Sequence, residues 1–481
     1  MIQLWVIVLF AAVLGADALG PGAPPGVPAE IFATPVAAGF YLLGLTLLAG
    51  GGVSVLAALS RRVDRRGSFR AVRAADRVAR LARWMVVAWH AWGLLGHGLL
   101  WWVRGALGDL VLLDELACLA PASVAIVVLW WAQAPVDLAL RRAVLVRNAD
   151  EGRPIYPEPS RAALVAGQVR QAVAMAAGPM ALLIAWSELA RLIATRLARA
   201  GWLGTPGSRE AALVGLYLVG LAVLFVLGPI LMRLVWDTIP LGPGPLRERL
   251  LDMARREGVR VRELLIWRTG GTVINGAVLG ASRWARYVLL TDALLDALPG
   301  PQLEAVMAHE LAHARLRHMP WMLAGLAVSL AGGWLAAEAA WDALGGRRGG
   351  QLRELVTLLS ALGSGLLVLG WISRRMERQA DAFAAGVLSA PEAGVPAVVT
   401  PAGVAAMKGA LGAVALLNGV AAGKWTWRHG SIAGRQRRLD DLVGHRIGRL
   451  PIDVTIKLVK GAIVLAGVAV GTWVWLTETT S

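Results

Sequence analysis

Three residues within one helical turn could carry out metal-assisted hydrolysis. His309, Glu310 and His313 form the pattern H-E-x-x-H, and on a helix the spacing of four residues places both imidazoles on one face. Two imidazoles can bind one Zn²⁺, and the glutamate beside the first can accept a proton from a water molecule. Histidines on a charged helix can also merely cap it or pair with carboxylates. Because the chain has only 7 histidines, the pattern favours peptide hydrolysis.

A second segment supplies the third ligand that a catalytic zinc site needs. Glu377 and Asp381 lie four residues apart in Glu-Arg-Gln-Ala-Asp, so a helix places both carboxylates on one face. Glu377 is then the expected metal ligand, and Asp381 is expected to orient a ligand imidazole through its free N–H. Taken alone, the segment is also compatible with a solvated helix of Arg/Glu pairs.

The composition indicates a membrane protein. The chain is 57% hydrophobic and 17% charged, more apolar than soluble proteins of this length. Runs near the ~20 residues that cross a bilayer number nine. They are residues 2–19, 32–59, 84–102, 112–134, 171–190, 211–236, 321–341, 354–373 and 455–477.

The net charge of +16 does not indicate a nucleic-acid partner, because the arginines fill short loops between apolar runs and do not form one stripe with aromatic residues. Loops 61–80 and 141–161 are rich in arginine, which predicts that both are cytoplasmic. Alternation then places residues 237–320 and 374–454, with both metal motifs, on the cytoplasmic side. The loop 191–210, with four arginines, is the exception to this pattern.

Other polar or reactive residues in the apolar runs are few. The first run has no basic residue before it, so we expect a retained span and not a cleaved signal. Cys118 is the only cysteine, which excludes a disulfide framework and a thiolate ligand. His90 and His97 lie in or near the third run, where they are either functional or packed against neighbouring helices.

The segment between the sixth run and the H-E-x-x-H helix has the pattern of a small soluble domain. Residues 246–257 predict an amphipathic helix, and residues 260–267, 272–279 and 287–291 predict short strands. A further short helix is expected from Asp292 to Pro299-Gly300. Residues 401–422 are weakly apolar and interrupted by glycine, so they predict a domain helix and not a tenth span.

One predicted strand could bind substrate. Metallopeptidases can pair an extended peptide with a strand edge through backbone hydrogen bonds, and Asn275, Gly276 and Ala277 are the candidates for that edge. A plain hairpin is the alternative. The predicted division of the chain is residues 1–236 with about six spans, 237–320 and 374–454 as two parts of the peptidase domain, 321–373 as a transmembrane hairpin, and 455–481 as a last span and tail.

The order and spacing of these pieces resemble the HtpX-like membrane metallopeptidases, which are related to the CaaX prenyl proteases. The resemblance covers about residues 240–445. It rests on Asn275-Gly-Ala277, Val288-Leu-Leu-Thr-Asp292, Leu303 through His313 with Arg317-His318, Glu377-Arg-Gln-Ala-Asp381, and His429-Gly-Ser-Ile432 with Arg435 and Leu439.

The resemblance implies Zn²⁺ bound by His309, His313 and Glu377, with Glu310 as the base of a gluzincin-like endopeptidase. It also implies that His429 or Arg435 faces the cleft and stabilises the oxyanion, for which a cationic or N–H donor is suitable. The alternative for Arg435 is that it lines an anionic membrane surface together with Arg437 and Arg438.

The chain departs from the family pattern in three places. Gly276 stands between Asn275 and Ala277, where the family has Asn directly before Ala, and Gly430 replaces a usual proline. About six apolar runs precede the peptidase segment instead of the usual two. The role of this extension is therefore open.

The predicted fold class is a mainly α membrane protein, a multi-span helical bundle with a zincin-like α+β metallopeptidase domain on the cytoplasmic side. The predicted function is zinc-dependent endoproteolysis of membrane or membrane-associated proteins, with a role in quality control. Partners are a protein or peptide substrate and the lipid bilayer. Arginine greatly outnumbers lysine while asparagine is scarce, a bias of G+C-rich coding sequences that indicates a bacterial cytoplasmic membrane.

Two other functions are compatible with the sequence. One is a sensor or signal transducer whose N-terminal spans bind a ligand and whose protease-like part relays the signal. The other is a transporter-like protein with a degenerate peptidase, although no pair of interrupted spans supports it. H-E-x-x-H is followed by Arg315, Arg317 and His318, which predicts a partly solvated helix and cleavage near the membrane surface.

Overall fold

A computed structural model describes residues 2–24, 26–150, 157–271, 273–280, 284–345, 351–389 and 398–480. Parts of the predicted strand 272–279 and of the arginine-rich loop 141–161 lie outside these residues. The chain forms two compact units, Met1–Asp237 and Thr238–Ser481. The finer division into transmembrane and peptidase segments stays a prediction.

The first unit is all-helical. Its core combines side chains from most of its helices, including Leu9, Leu56, Val86 and Ile126. A π-helical turn at Val173–Ala177 joins the sixth and seventh helices. The helices are α1 (Ile2–Leu19), α2 (Pro35–Arg66), α3 (Phe69–Leu95), α4 (Leu99–Leu107), α5 (Leu113–Asp150), α6 (Arg161–Ala172), α7 (Gly178–Arg199) and α8 (Pro206–Val235).

Seven helical segments in the described part of the chain are long and apolar enough to cross a membrane, which confirms a mainly α protein of the membrane type. They coincide with seven of the nine predicted runs. These segments are Pro35–Arg66, Leu113–Ala143, Arg161–Arg199, Gly207–Arg233, His318–Ala343, Val356–Val387 and Pro451–Leu476.

The other two predicted spans differ from the structure. The first lies on α1, of which the apolar part Leu4–Leu19 is shorter than the seven segments above. The run 84–102 is not one helix, because α3 ends at Leu95 and α4 begins only at Leu99. Gly98 between them has a φ of 69°, a left-handed conformation that glycine adopts without steric cost but that no α-helix contains. Seven of the nine predicted runs are thus single helices of membrane-crossing length in the described part of the chain, and the number of spans stays a prediction.

Both histidines of the predicted third span are in packed surroundings. His90 is fully buried, and its Nδ1 lies 2.6 Å from the hydroxyl oxygen of Tyr41. His97 contacts the rings of Phe40 and Trp92 edge-on. This arrangement favours the packing alternative for the two residues.

The second unit contains a four-stranded sheet in the order β1-β2-β4-β3. β1 (Thr238–Pro240) and β2 (Glu263–Trp267) are antiparallel, β2 and β4 (Tyr287–Thr291) are parallel, and β3 (Gly276–Leu279) is antiparallel to β4. β4 is buried along its whole length, as expected for a central strand of apolar and β-branched residues. β3 is an edge strand, and among the described residues no further strand pairs with its outer side.

Five shorter helices belong to this unit together with the sheet. Leu303, Met307 and Leu311 of the eleventh helix form one core with Leu264 and Leu290 of the sheet, since apolar residues at helical spacing share one face. The predicted amphipathic helix, short helix and domain helix are all present. These helices are α9 (Pro245–Arg256), α10 (Asp292–Ala297), α11 (Gly300–Arg315), α14 (Pro401–Leu417) and α15 (Ile432–Asp440).

Three helices of membrane-crossing length complete the second unit. They are α12 (His318–Ala343), α13 (Gln351–Val387) and α16 (Pro451–Thr480). α12 and α13 pack as an antiparallel hairpin, and Met322, Ile372, Met376, Ile456 and Val459 join all three helices in a separate apolar cluster. The hairpin brings the metal-site residues of α11 and α13 together. α11 leads into the start of α12, and α13 returns to that same end of the hairpin.

Candidate metal centre

Three potential metal ligands from two helices meet in the second unit. His309 and His313 lie on α11, one turn apart, and Glu377 lies on α13. Their ligand atoms are all within 4.8 Å of one another. The Nε2 atoms of the two histidines are 3.3 Å apart, and the Glu377 carboxylate oxygens lie 3.6 Å from His309 Nε2 and 3.7 Å from His313 Nε2.

This triangle has the size of one face of a zinc tetrahedron. Zn–N and Zn–O distances near 2.0–2.1 Å place two ligand atoms about 3.4 Å apart in tetrahedral geometry. The observed edges are close to that value, and two imidazoles with one carboxylate are a donor set that zinc accepts. The residues therefore fit a zinc ion with a fourth position left for water or substrate.

The charges around the triangle also fit a divalent cation. Glu310, Glu377 and Asp381 contribute three carboxylates, and Arg435 contributes one guanidinium; Glu377, Asp381 and Arg435 are each less than one-tenth exposed. Buried charges of one sign are unfavourable unless they are compensated. With all three carboxylates ionised, the group carries a formal charge of minus two, which a divalent metal ion would balance.

Asp381 lies behind the first histidine. Its Oδ1 is 3.0 Å from His309 Nδ1, so the carboxylate can hold a proton on Nδ1 and leave the Nε2 lone pair for the metal. Burial would lower the pKa of His309, but the carboxylates of Asp381 and Glu377 outweigh burial and raise it to about 10. Metal binding therefore has to displace a proton from this imidazole.

Arg435 of α15 is placed by these carboxylates. Its Nε and Nη2 donate to Asp381 at 2.7 and 2.6 Å, and its Nη1 lies 3.2 Å from Glu377. Burial opposes the charge, but Asp381 and Glu377 raise the pKa of Arg435 above its usual range. A buried guanidinium cannot line a membrane surface. The alternative in which Arg435 lines an anionic membrane surface is therefore wrong. Its donors are directed to two carboxylates, and its contact with an oxyanion stays a prediction.

His429 lies on the solvent side of the triangle. Its Nδ1 is 3.1 Å from Glu377 Oε1, and its side chain is 49% exposed. The residue belongs to a short turn closed by hydrogen bonds between Thr426 and Gly430. Gly430 has a φ of 74°, which proline cannot adopt, so the glycine in place of the family's proline fits this local geometry.

Glu310 is directed toward the edge strand. Its Oε2 accepts a hydrogen bond of 3.1 Å from the backbone N–H of Val278. Burial raises the pKa of Glu310 to about 7, although the charge of His309 opposes this effect. A carboxylate that exchanges its proton near neutral pH suits a general base.

The candidate substrate edge packs closely on α11. A Cβ at Gly276 would lie 2.7 Å from Val306 Cγ1, so the glycine that departs from the family pattern allows this close approach. The Asn275 carbonyl accepts from the backbone N–H of Thr291, and the Asn275 N–H donates to the Thr291 hydroxyl. Because backbone groups alternate along a strand, those of Ala277 also face β4, while those of Gly276 and Val278 face outward. β3 is therefore both half of a hairpin and an open edge.

Comparisons with known proteins agree with this geometry. A sequence model of peptidase family M48 matches residues 245–442. This segment includes α11, the metal-site end of α13, and Arg435. That part of the chain is similar to peptidase family M48, and we refer to residues 245–442 as the M48 domain.

Two curated relatives of the M48 domain are protease HtpX homologues. The one from Aeropyrum pernix is 26% identical over 199 residues, which are 39% of this chain and 62% of the relative. The one from Desulfatibacillum aliphaticivorans is 32% identical over 116 residues, 22% of this chain and 36% of the relative. The chain thus spans less than two thirds of either relative. The resemblance to HtpX-like membrane metallopeptidases is confirmed.

A crystal structure of S. mikatae Ste24p is a further structural match to the chain. The match covers 83% of this chain and 99% of Ste24p, with 13% sequence identity and a TM-score of 0.37.

A hydrogen-bonded chain that no sequence pattern predicts lies behind the second histidine. His318 is fully buried, whereas Arg315 and Arg317 before it are exposed. Its Nδ1 lies 3.0 Å from His313 Nδ1, and its Nε2 lies 3.0 Å from Gln379 Oε1. Gln379 Nε2 donates to Asp453 at 2.7 Å.

The direction of this chain fixes the form of His313. Because the Asp453 carboxylate only accepts, the Gln379 amide N–H₂ must face it and the Gln379 oxygen must face His318. His318 then donates through Nε2 and accepts through Nδ1 from His313. His313 is left with an unprotonated Nε2 toward the triangle, and burial lowers its pKa to about 3. The only sequence signal was a third histidine five positions after His313.

Replacing Asp381 should weaken metal binding without removing a ligand. We expect Asp381→Asn to lower zinc affinity by about 10- to 100-fold, because the amide pairs less strongly with His309 and Arg435. Competition with a chromophoric chelator would measure this on the purified full-length protein. Asp440→Asn is the matched control, since Asp440 is exposed and pairs with Lys408. Equal zinc affinity of the two variants would contradict the assigned role.

Proposed function

We propose that the protein is a zinc-dependent endopeptidase that hydrolyses membrane or membrane-associated proteins. The observation that carries this proposal is the triangle of His309, His313 and Glu377 with Glu310 beside it. The similarity of residues 245–442 to family M48 supports the reaction class. The apolar helices that lead into and out of the site support a membrane-associated substrate, and the role in protein quality control rests on the resemblance to HtpX-like peptidases alone.

The chain's own groups have distinct tasks in this reaction. A zinc ion bound by the triangle would polarise the scissile carbonyl and lower the pKa of a water molecule. Glu310 accepts the proton of the attacking water and passes it to the leaving amine. Asp381 and His318 keep the two imidazoles in the form that presents Nε2. His429 donates an N–H to the developing oxyanion, because it is the exposed imidazole beside the triangle.

Substrate binding is assigned to the outer edge of β3. The outward backbone groups of Gly276 and Val278 can pair with an extended peptide, which gives affinity without strict sequence preference. The Val278 N–H is bonded to Glu310 in the free protein, so a peptide on this edge lies next to the general base. Of the three predicted residues, Asn275 and Ala277 support the edge through β4, and Gly276 contributes to its outer side.

The site is proposed to face the cytoplasm of a bacterium. The hairpin of α12 and α13 has Arg315, Arg317, Arg374, Arg375 and Arg378 near its metal-site end. Fewer basic residues lie at its far end, and loops rich in arginine remain in the cytoplasm. The distribution of arginines in the hairpin is independent of the number of spans before it.

The central test of the reaction is removal of the general base. Glu310→Gln should lower hydrolysis of an unfolded casein-like protein by at least about a hundredfold while zinc content stays unchanged, because Glu310 is not one of the three ligands. Turnover and elemental analysis on the same sample measure both. Glu304→Gln on the same helix, where Glu304 pairs with Arg249, is the control. An unchanged rate in Glu310→Gln would refute the enzyme and favour the sensor.

His429 and Arg435 should respond differently to neutral substitution. For His429→Gln we expect kcat to fall about 10²- to 10³-fold with little change in KM and zinc content. Arg435→Gln leaves two buried carboxylates without their partner, so zinc content and thermal stability should fall as well. A His429→Gln variant with normal kcat would assign the oxyanion contact elsewhere.

The orientation can be tested with single cysteines. In a Cys118→Ser background, Asp441→Cys places an exposed thiol just after α15, the helix that carries Arg435, and Leu344→Cys places one at the far end of the hairpin, where Leu344 is 87% exposed. A membrane-impermeant maleimide should label the thiol at 344 in intact cells and the thiol at 441 only after lysis. Labelling of position 441 in intact cells would place the site on the outer face.

A further inference from the structure

The exposed face of α13 changes character toward the metal site. Leu362, Leu366 and Leu367 are 47%, 55% and 74% exposed, as expected for side chains in contact with acyl chains. Trp371 follows one turn later and is 41% exposed. Arg374, Arg375 and Arg378 follow within the next two turns, and Arg378 lies four and three positions after the other two, on the same side of the helix.

The length of the helix places this change at a membrane boundary. Arg353 near the other end of α13 pairs with Asp342, and Arg353 and Arg374 are 21 positions apart. At 1.5 Å per residue they are separated by about 32 Å, close to the ~30 Å of the hydrocarbon core. The order leucine, tryptophan, arginine therefore matches acyl chains, interface and headgroups.

A fourth arginine joins this surface from α15. Arg438 interacts electrostatically with Arg378, as do Arg374 and Arg375. We refer to Arg374, Arg375, Arg378 and Arg438 as the arginine patch. Among the described residues, no carboxylate forms an ion pair with any of the four, in contrast to Arg435 beside them. Like charges gathered in this way repel each other unless an anion lies between them.

Three of the four side chains of the patch contact neutral groups, which leave their charge unpaired. The Arg375 guanidinium carbon lies 3.5 Å from the centroid of the Trp371 ring, and Arg375 and Arg438 donate to carbonyls of their own helices. Arg374 donates to the carbonyl of Trp427 at 2.7 Å. Stacked guanidinium groups retain planar donors that match phosphate oxygens.

We propose that the arginine patch binds the phosphate of an anionic phospholipid headgroup in the leaflet next to the M48 domain. A lipid is the occupant because the patch continues an exposed apolar stripe of membrane length, so one molecule can contact Trp371 and the leucines with its chains and the arginines with its phosphate. An acidic substrate peptide would pair with the arginines but would leave the exposed apolar stripe uncovered. The lipid would also hold the turn of Trp425 to Gly430, which carries His429, at the bilayer surface.

The test measures lipid retention by the full-length protein in a nonionic detergent. Native mass spectrometry would follow titrations with phosphatidylglycerol, with phosphatidylcholine of the same acyl chains, and with inorganic phosphate. We expect selective retention of phosphatidylglycerol. In the variant R375Q/R378Q/R438Q the affinity for phosphatidylglycerol should fall on the order of a hundredfold, because each arginine contributes about fivefold. Binding of phosphatidylcholine should stay the same. No substrate is present, so the result is independent of peptidase activity.

A charge-matched triple variant separates the patch from net charge. R255Q/R256Q/R260Q removes three exposed arginines of the same unit at and after the end of α9, and its selectivity should equal that of the wild type. If the patch variant does not fold by circular dichroism, R438Q alone should show about a fivefold loss. Equal retention of the two lipids, or equal losses in both triple variants, would overturn the proposal. Displacement by equimolar phosphate, or selectivity for an acidic peptide in place of the lipid, would also overturn it.

Discussion

The metal centre depends on the compensation of buried carboxylates. Glu377 and Asp381 are almost completely removed from solvent, where an ionised carboxylate is stable only beside an opposite charge. Arg435 supplies one such charge through three short contacts, and a divalent ion at the triangle would supply the rest. Loss of either cation leaves its partners unpaired. Metal binding, the position of α15 and the packing of α11 against α13 are therefore energetically coupled.

The backbone supports this arrangement at one unusual residue. Arg317 has a φ of 55°, a left-handed conformation that costs energy for a residue with a side chain. The turn it forms ends α11 at Arg315 and starts α12 at His318, which places His318 under His313. A continuous helix would have carried His318 away from the site. The strain is thus located where the chain passes from the metal-binding helix to a helix of membrane-crossing length.

The proximity of the metal centre to the ends of three apolar helices suggests how substrate choice could arise. A strand edge binds almost any extended backbone, so β3 provides little selectivity by itself. Selectivity can come from location, because only chains near the bilayer surface would reach a site fixed there. The tryptophans and arginines at the end of α13 are suited to keep the site at a fixed position relative to the bilayer surface. Under this view the membrane restricts the substrates of a tolerant peptidase.

The sequence by itself determined the helical character, most of the apolar helices and the candidate metal ligands. Periodicity and residue spacing are local properties, so His309, His313 and the carboxylate pair on α13 could be recognised without coordinates. Only the tertiary structure decided that Arg435 pairs with Asp381, that His318 and Gln379 fix the form of His313, and that Gly98 divides a predicted span. These features arise from contacts between residues distant in sequence, or from a single backbone dihedral, and no local pattern encodes either.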